Sequence, residues 1–183
     1  MFKPRVVLIA VAAGFLIWAG YLMIHSLERP DHIHSRDDNP QQQSTEDPAS
    51  LELMLENDPD NFELIVRLGH LYIENQQFDR AEKIFEKAVQ LQPENAEMWV
   101  DLGMSQRQGG DYDEALKTLK NATEKFPGYG ESWLQLAVLY RTNLNENKKA
   151  QECFEKFMMV DPGSNLIPRV KQEIELIRAE MKE

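Results

Sequence analysis

Few residues in this chain have the chemistry for a reaction. It contains four histidines and one cysteine. His32 and His34 form a His-x-His pair, with His25 just upstream. Two imidazoles hold a metal only when further ligands and a fixed geometry complete the site. The pair sits in a stretch rich in Asp, Gln, Pro and Ser, so it reads as a solvated linker and no metal is expected. Cys153 has no evident activating neighbour and reads as a structural thiol on a helix. A lone cysteine excludes an internal disulfide framework and a Cys-rich zinc site. The remaining histidine, His70, belongs to no traceable Ser/His/Asp or Cys/His grouping, and no Gly-rich phosphate loop occurs. Asn121-Ala122-Thr123 matches a glycosylation sequon but falls inside a predicted helix, which argues against its use. These patterns predict no catalytic residue, no cofactor and no enzyme.

Charge narrows the remaining classes. Twenty basic residues stand against 31 acidic ones, for a formal net charge of -11. A groove that tracks a phosphate backbone needs clustered Lys and Arg, and no long basic run occurs, so nucleic acid is not an expected partner. Val6 to Ile24 is a run of 19 residues without charge, Asn, Gln or Pro. As a helix it would span roughly 28 Å, close to the ~30 Å hydrocarbon core of a bilayer. A secretory signal has a shorter apolar region and a small-x-small cleavage site. This run ends in Tyr21-Leu22-Met23-Ile24-His25, so an uncleaved anchor over 1–25 is expected, with a cleaved signal as the alternative. No cysteine follows the run, which excludes a lipoprotein. Lys3 and Arg5 make only the leading flank cleanly basic, which predicts a cytoplasmic N-terminus and the bulk of the chain outside, in a bacterium the periplasm. Trp18 and Tyr21 would lie at the outer headgroups, and Ala10 with Gly14 forms a small-xxx-small pair. Residues 26–48 are poor in apolar side chains and read as a disordered tether of roughly 25–30 Å typical span.

The elements that must carry any function lie in 49–183, and they repeat. Ile65, Leu68, Gly69, Tyr72, Ala81, Phe85, Ala88 and Pro93 recur 34 residues later as Trp99, Leu102, Gly103, Gln106, Ala115, Leu119, Ala122 and Pro127. They recur again as Trp133, Leu136, Ala137, Tyr140, Ala150, Phe154 and Pro162, with one extra residue in the stretch RTNLNENKKA. Such a period predicts stacked helix pairs. Gly69, Gly103 and Ala137 would let paired helices approach, as would Ala81, Ala115 and Ala150. Ile65, Trp99, Trp133, Tyr72 and Tyr140 would fill the gaps. The prolines would end the second helices. Asn75-Gln76-Gln77 and Gly109-Gly110 would make the inner turns. Gln106 breaks the pattern where an aromatic is usual, so looser packing is expected there. A partial repeat at 49–58 would pack Leu51, Met54 and Leu55 onto the first full unit. A helix at about 167–182 would cap the array through Ile167, Val170, Ile174, Ile177 and Met181, with Arg169, Lys171, Glu173, Glu175 and Arg178 in water.

At these residues the chain resembles the tetratricopeptide repeat (TPR) family. The resemblance implies an all-α solenoid of three helix-turn-helix repeats, about 62–95, 96–129 and 130–164, behind one transmembrane helix. It also implies that the first helix of each repeat lines a concave groove for a peptide. That places Glu63, Val66, Arg67, His70 and Glu74 in the groove from the first unit. Glu97, Val100, Asp101, Met104 and Arg107 come from the second, and Glu131, Leu134, Gln135, Val138 and Arg141 from the third. Val66, Val100 and Leu134 share one register and would form an apolar strip flanked by charge, suited to an apolar or amphipathic peptide. TPR domains that clamp a C-terminal carboxylate use Lys and Asn. Here the matching positions hold Val66, His70, Asp101, Glu131 and Gln135, so that specificity is not expected.

The layout of anchor, outward TPR domain and the ending Pro162 to Ile177 is also similar to TPR subunits of bacterial cytochrome c maturation systems. That resemblance implies apocytochrome c or haem-lyase components as partners. A structural scaffold subunit of an envelope, secretion or organelle-membrane complex is the competing reading.

Overall fold

The computed structural model describes residues 47–182, and within them every regular element is helical. α1 (Pro48–Asn57) is followed by three hairpins and a last helix. The hairpins are α2 (Phe62–Glu74) with α3 (Phe78–Leu91), α4 (Ala96–Gly109) with α5 (Tyr112–Lys125), and α6 (Gly130–Val138) with α7 (Asn147–Val160). α8 (Ile167–Glu180) closes the series. The expected transmembrane run and most of the tether lie outside the described residues. No described helix is long and apolar enough to cross a membrane.

Each hairpin closes where a small residue meets a large one. A Cβ added at Gly69 would stand 2.6 Å from the Phe85 ring, and one at Gly103 2.6 Å from the Leu119 side chain. Phe85, Leu119, Ala81, Ala115 and Ala150 have no exposed surface. Ala137 holds the matching place in the third hairpin and is equally buried. The inner turns repeat as well. Gln76, Gly110 and Asn145 all take positive φ (57°, 98° and 54°), the left-handed conformation that ends a helix sharply. Gln77 N–H then donates to Tyr72 O at 2.8 Å, and Asp111 N–H to Gln106 O at 2.9 Å. In the third hairpin Glu146 N–H reaches Tyr140 O at 2.8 Å, spanning one residue more. The extra residue is absorbed by a π-helical turn at Leu139–Asn143, where Leu144 N–H donates to Leu139 O at 3.1 Å.

The joints between hairpins are polar. Trp99 Nε1 donates to Pro93 O at 2.9 Å and Trp133 Nε1 to Pro127 O at 3.0 Å, so both indoles stay half-buried rather than filling the core. Ile65 at the same register has no donor, and Lys87 Nζ takes the Pro59 carbonyl instead. The first helices of the first two hairpins are capped by Asn61 and Asn95, whose side chains accept from Leu64 N–H at 3.2 Å and Glu97 N–H at 3.1 Å.

Two apolar clusters form, one from Leu51 to Leu102 and one from Ala115 to Ile177. They divide inside the second hairpin, where Gln106 replaces the aromatic of Tyr72 and Tyr140. Gln106 is buried; its Nε2 donates to Glu82 at 3.0 Å, while its Oε1 is buried without a partner. Four expectations at the ends need correction. The leading helix starts at Pro48, inside the stretch read as tether. Leu51 is buried as expected, but Met54 is 53% exposed. Met181 lies beyond the end of α8 and is likewise exposed, and Glu173 is drawn from water into an ion pair with Arg141.

The Gly69 contact yields a test. Gly69→Ala forces a fully buried ring to move, a cost of about 1–3 kcal/mol partly offset by the ~1 kcal/mol alanine gains over glycine in a helix. A lowered midpoint in urea or thermal unfolding is expected.

Candidate functional site

The residues expected in a groove lie on α2, α4 and α6, except Arg141, which lies in the π-helical turn after α6. They do not share one environment. Val100 is 2% exposed, Leu134 5% and Gln135 1%, while Val66 packs partly against the N-terminal cluster. The expected apolar strip is therefore largely shut.

What remains accessible is mostly charged. Glu63, Glu97 and Glu131 repeat at the first turn of α2, α4 and α6. Glu63, Arg67 and Glu97 are exposed; Met104, Arg107, Glu131 and Val138 are half-buried. His70 Nε2 lies 3.0 Å from Asp101 Oδ2, a hydrogen bond that ties α2 to α4. The His70 ring also tilts against Phe85 at 5.5 Å, which places it over the small-to-large contact of the first hairpin.

Tyr129 belongs to this face and was not foreseen. It stands where Asn61 and Asn95 cap the preceding first helices, and it makes no side-chain cap. Its phenol is pushed up to about 12, first by burial and then by the carboxylates of Glu97, Glu131 and Asp101. The charges of three acids on α4 and α6 thus disfavour ionisation of one phenol. The available signal was the loss of Asn at the cap register.

Arg141 is committed elsewhere. Its Nε donates to Glu173 at 2.7 Å and its terminal nitrogens to Glu180 at 2.7 and 2.8 Å, with Asn147 also in reach. The guanidinium is held well above its ordinary range, chiefly by the hydrogen bond to Glu180. It fastens α8 to the third hairpin, so the open face is bounded there by the last helix.

Cys153 is buried against the C-terminal cluster, and burial pushes its thiol up to about 11. No group of three or more metal-ligating side chains occurs among the described residues. Asn121 is exposed, but Thr123 is buried in α5 with its hydroxyl donating to Lys120 O at 2.8 Å, which leaves no extended sequon.

Tetratricopeptide-repeat models match residues 66–130 and 106–169, together more than half of the chain. The chain belongs to the tetratricopeptide-repeat family. No curated protein matches it significantly. Among solved structures it is similar to the crystal structure of MamA, with 23% identity, TM-score 0.67, and 82% of this chain and 87% of that one covered. It is similar to PcrH, solved with the chaperone-binding region of PopD, at 20% identity and TM-score 0.61, over 67% and 95% of the two chains. The TPR2B domain of yeast Sti1 in complex with pHsp70 gives 16% identity and TM-score 0.60, over 65% and 97%. At these identities the likeness is one of fold.

Two measurements check the electrostatics. Glu180 is held below its ordinary value of 4.5 by the Arg141 hydrogen bond. A carboxyl lowered on folding stabilises above its unfolded pKa and loses that contribution as pH falls through its folded pKa. Protection of α8 should therefore weaken as pH falls below about 4.5, and Arg141→Met, which should cost about 1–3 kcal/mol at neutral pH by stranding Glu173, should remove the part of that acid dependence due to Glu180. Hydrogen exchange of α8 amides against pH reads both. Cys153, in turn, should resist a thiol reagent at pH 8 in the native protein and react fully in denaturant.

Proposed function

We propose that this chain is a membrane-anchored TPR adaptor or chaperone that holds a peptide segment of a partner protein along the face of α2, α4 and α6. The observation that carries this reading is the row of Glu63, Glu97 and Glu131, continued by Asp101 around Tyr129. Equal carboxylates at a fixed repeat along one face match the periodicity of a bound polypeptide. With Val100 and Leu134 closed, the face favours a segment bearing Lys or Arg over a purely apolar one. Met104 and Val138 supply local apolar contact. The proposal draws support from PcrH and the Sti1 domain, which share the fold and were solved with bound partner segments.

The Val6–Ile24 run supports the anchor, and the Lys3/Arg5 flank supports a cytoplasmic N-terminus with the repeats in the periplasm of a bacterial inner membrane. Delivery of apocytochrome c segments to haem-lyase components is the specific role proposed, on the layout and the Pro162-to-Ile177 ending.

A photo-crosslinker placed at Met104 or Val138 of the full chain in membranes should capture one defined partner segment. Glu97→Lys and Glu131→Lys should each weaken capture about two- to fivefold, the scale of one exposed charge pair, and added salt should do the same. Capture indifferent to both charge reversals overturns the groove. Deletion should lower c-type cytochromes; unchanged levels remove that role while leaving the groove standing. A reporter fused at the C-terminus that is active in the cytoplasm reverses the topology.

A further inference from the structure

The apolar core of this array divides inside a repeat, not between repeats. Met98 and Leu102 of α4 belong to the cluster of α1 and the first hairpin. Ala115 and Leu119 of α5 belong to that of the third hairpin and α8. Leu119 does press on α4, but at Gly103, which brings no side chain to meet it. In a repeat array each helix pair is one unit, and contacts with its neighbours hold the pairs together. In the second hairpin the two helices lean on different neighbours.

The buried polar side chains gather at the same place. Among the described residues they are Ser105, Gln106, Thr118, Thr123, Ser132 and Gln135, all on α4, α5 and α6. Ser105 Oγ donates to Leu102 O at 2.8 Å and Thr123 Oγ1 to Lys120 O at 2.8 Å, each within its own helix. Gln106 Nε2 donates to Glu82 of α3 at 3.0 Å. None of these three bonds ties α4 to α5. Gln106 Oε1 is buried without a partner. Such an oxygen gives up its hydration and gains nothing in return, so exposing it to water offsets part of the cost of opening. At the surface Lys125 Nζ of α5 reaches Pro93 O at 2.7 Å and Glu94 at 3.0 Å, just ahead of α4. Both side chains of that ion pair are exposed, where water and salt screen it.

We infer that this seam is a hinge: α1–α4 and α5–α8 are two cooperative units that part inside the second hairpin while each stays folded. The accessible face crosses the seam. Glu97 and Asp101 move with the first unit, Tyr129 and Glu131 with the second. On the function proposed above, a bound segment spans both units and holds the seam shut, so the hinge governs when the acidic row is in register.

The test is native-state hydrogen exchange of the full chain in nanodiscs, followed segment by segment in low denaturant. It needs no ligand, so its failure and the failure of the groove are separate results. Amides of α1–α4 should exchange as one group and those of α5–α8 as another, with the boundary at Gly109–Tyr112. Gln106→Met, close in size and without the unpartnered oxygen, should slow exchange of the less protected group about five- to tenfold and draw the two groups together. Gln106→Leu, a second apolar variant, should act in the same direction. A single group spanning α1 to α8 overturns the inference. So does a boundary between hairpins, at Gln92–Asn95 or Phe126–Tyr129. Two groups that stay equally far apart in both Gln106 variants overturn it as well.

Discussion

Each hairpin in this domain is held at the distance set by a residue with little or no side chain. At Gly69 and Gly103 the neighbouring Phe85 and Leu119 occupy the space a Cβ would need. Helices this close bury the alanines of the second helix completely, and they fix where every other position on the first helix points. The order of the accessible face follows from that spacing. Glu63, Glu97 and Glu131 repeat because the helices beneath them are registered by the same contact.

The two ends of the array are finished differently. At the C-terminal end α8 buries Val170, Ile174 and Ile177, and Arg141 binds it through Glu173 and Glu180. A buried apolar seam with a bidentate charge pair at its edge is a closed end. At the N-terminal end α1 buries Leu51 and fastens Glu52, yet leaves Leu53 and Met54 open. A repeat array exposes apolar surface wherever a neighbour is missing. Among the described residues, α8 covers that surface at the C-terminal end.

Polarity in the middle hairpin separates the two apolar clusters. Gln106 and Ser105 are buried where the flanking hairpins place Tyr72 with Leu71, and Tyr140 with Leu139. Buried amides cost more than the apolar groups they replace unless they are fully bonded. The His70–Asp101 bond ties the first hairpin to the second on the accessible face. The first hairpin shares its apolar cluster with Met98 and Leu102 of α4, whereas Ala115 and Leu119 of α5 join the cluster of the third hairpin and α8.

The repeat was readable because its period is imposed by geometry that a sequence must obey. Glycine or alanine is needed where helices touch, a bulky residue opposite, and proline after the second helix. The same logic located α1 and α8 and flagged Gln106. Anything depending on which neighbour covers a side chain was not readable. Val100 and Leu134 share the register of a groove residue, yet both are buried. Arg141 repeats the register of Arg107, another expected groove residue, but α8 claims it through carboxylates more than 30 positions away. Tyr129 joins three acids only because α4 and α6 lie side by side. Local pattern determined the hairpins and their spacing. Tertiary packing decided which faces stay open, because exposure belongs to a residue's neighbours in space and not to the residue.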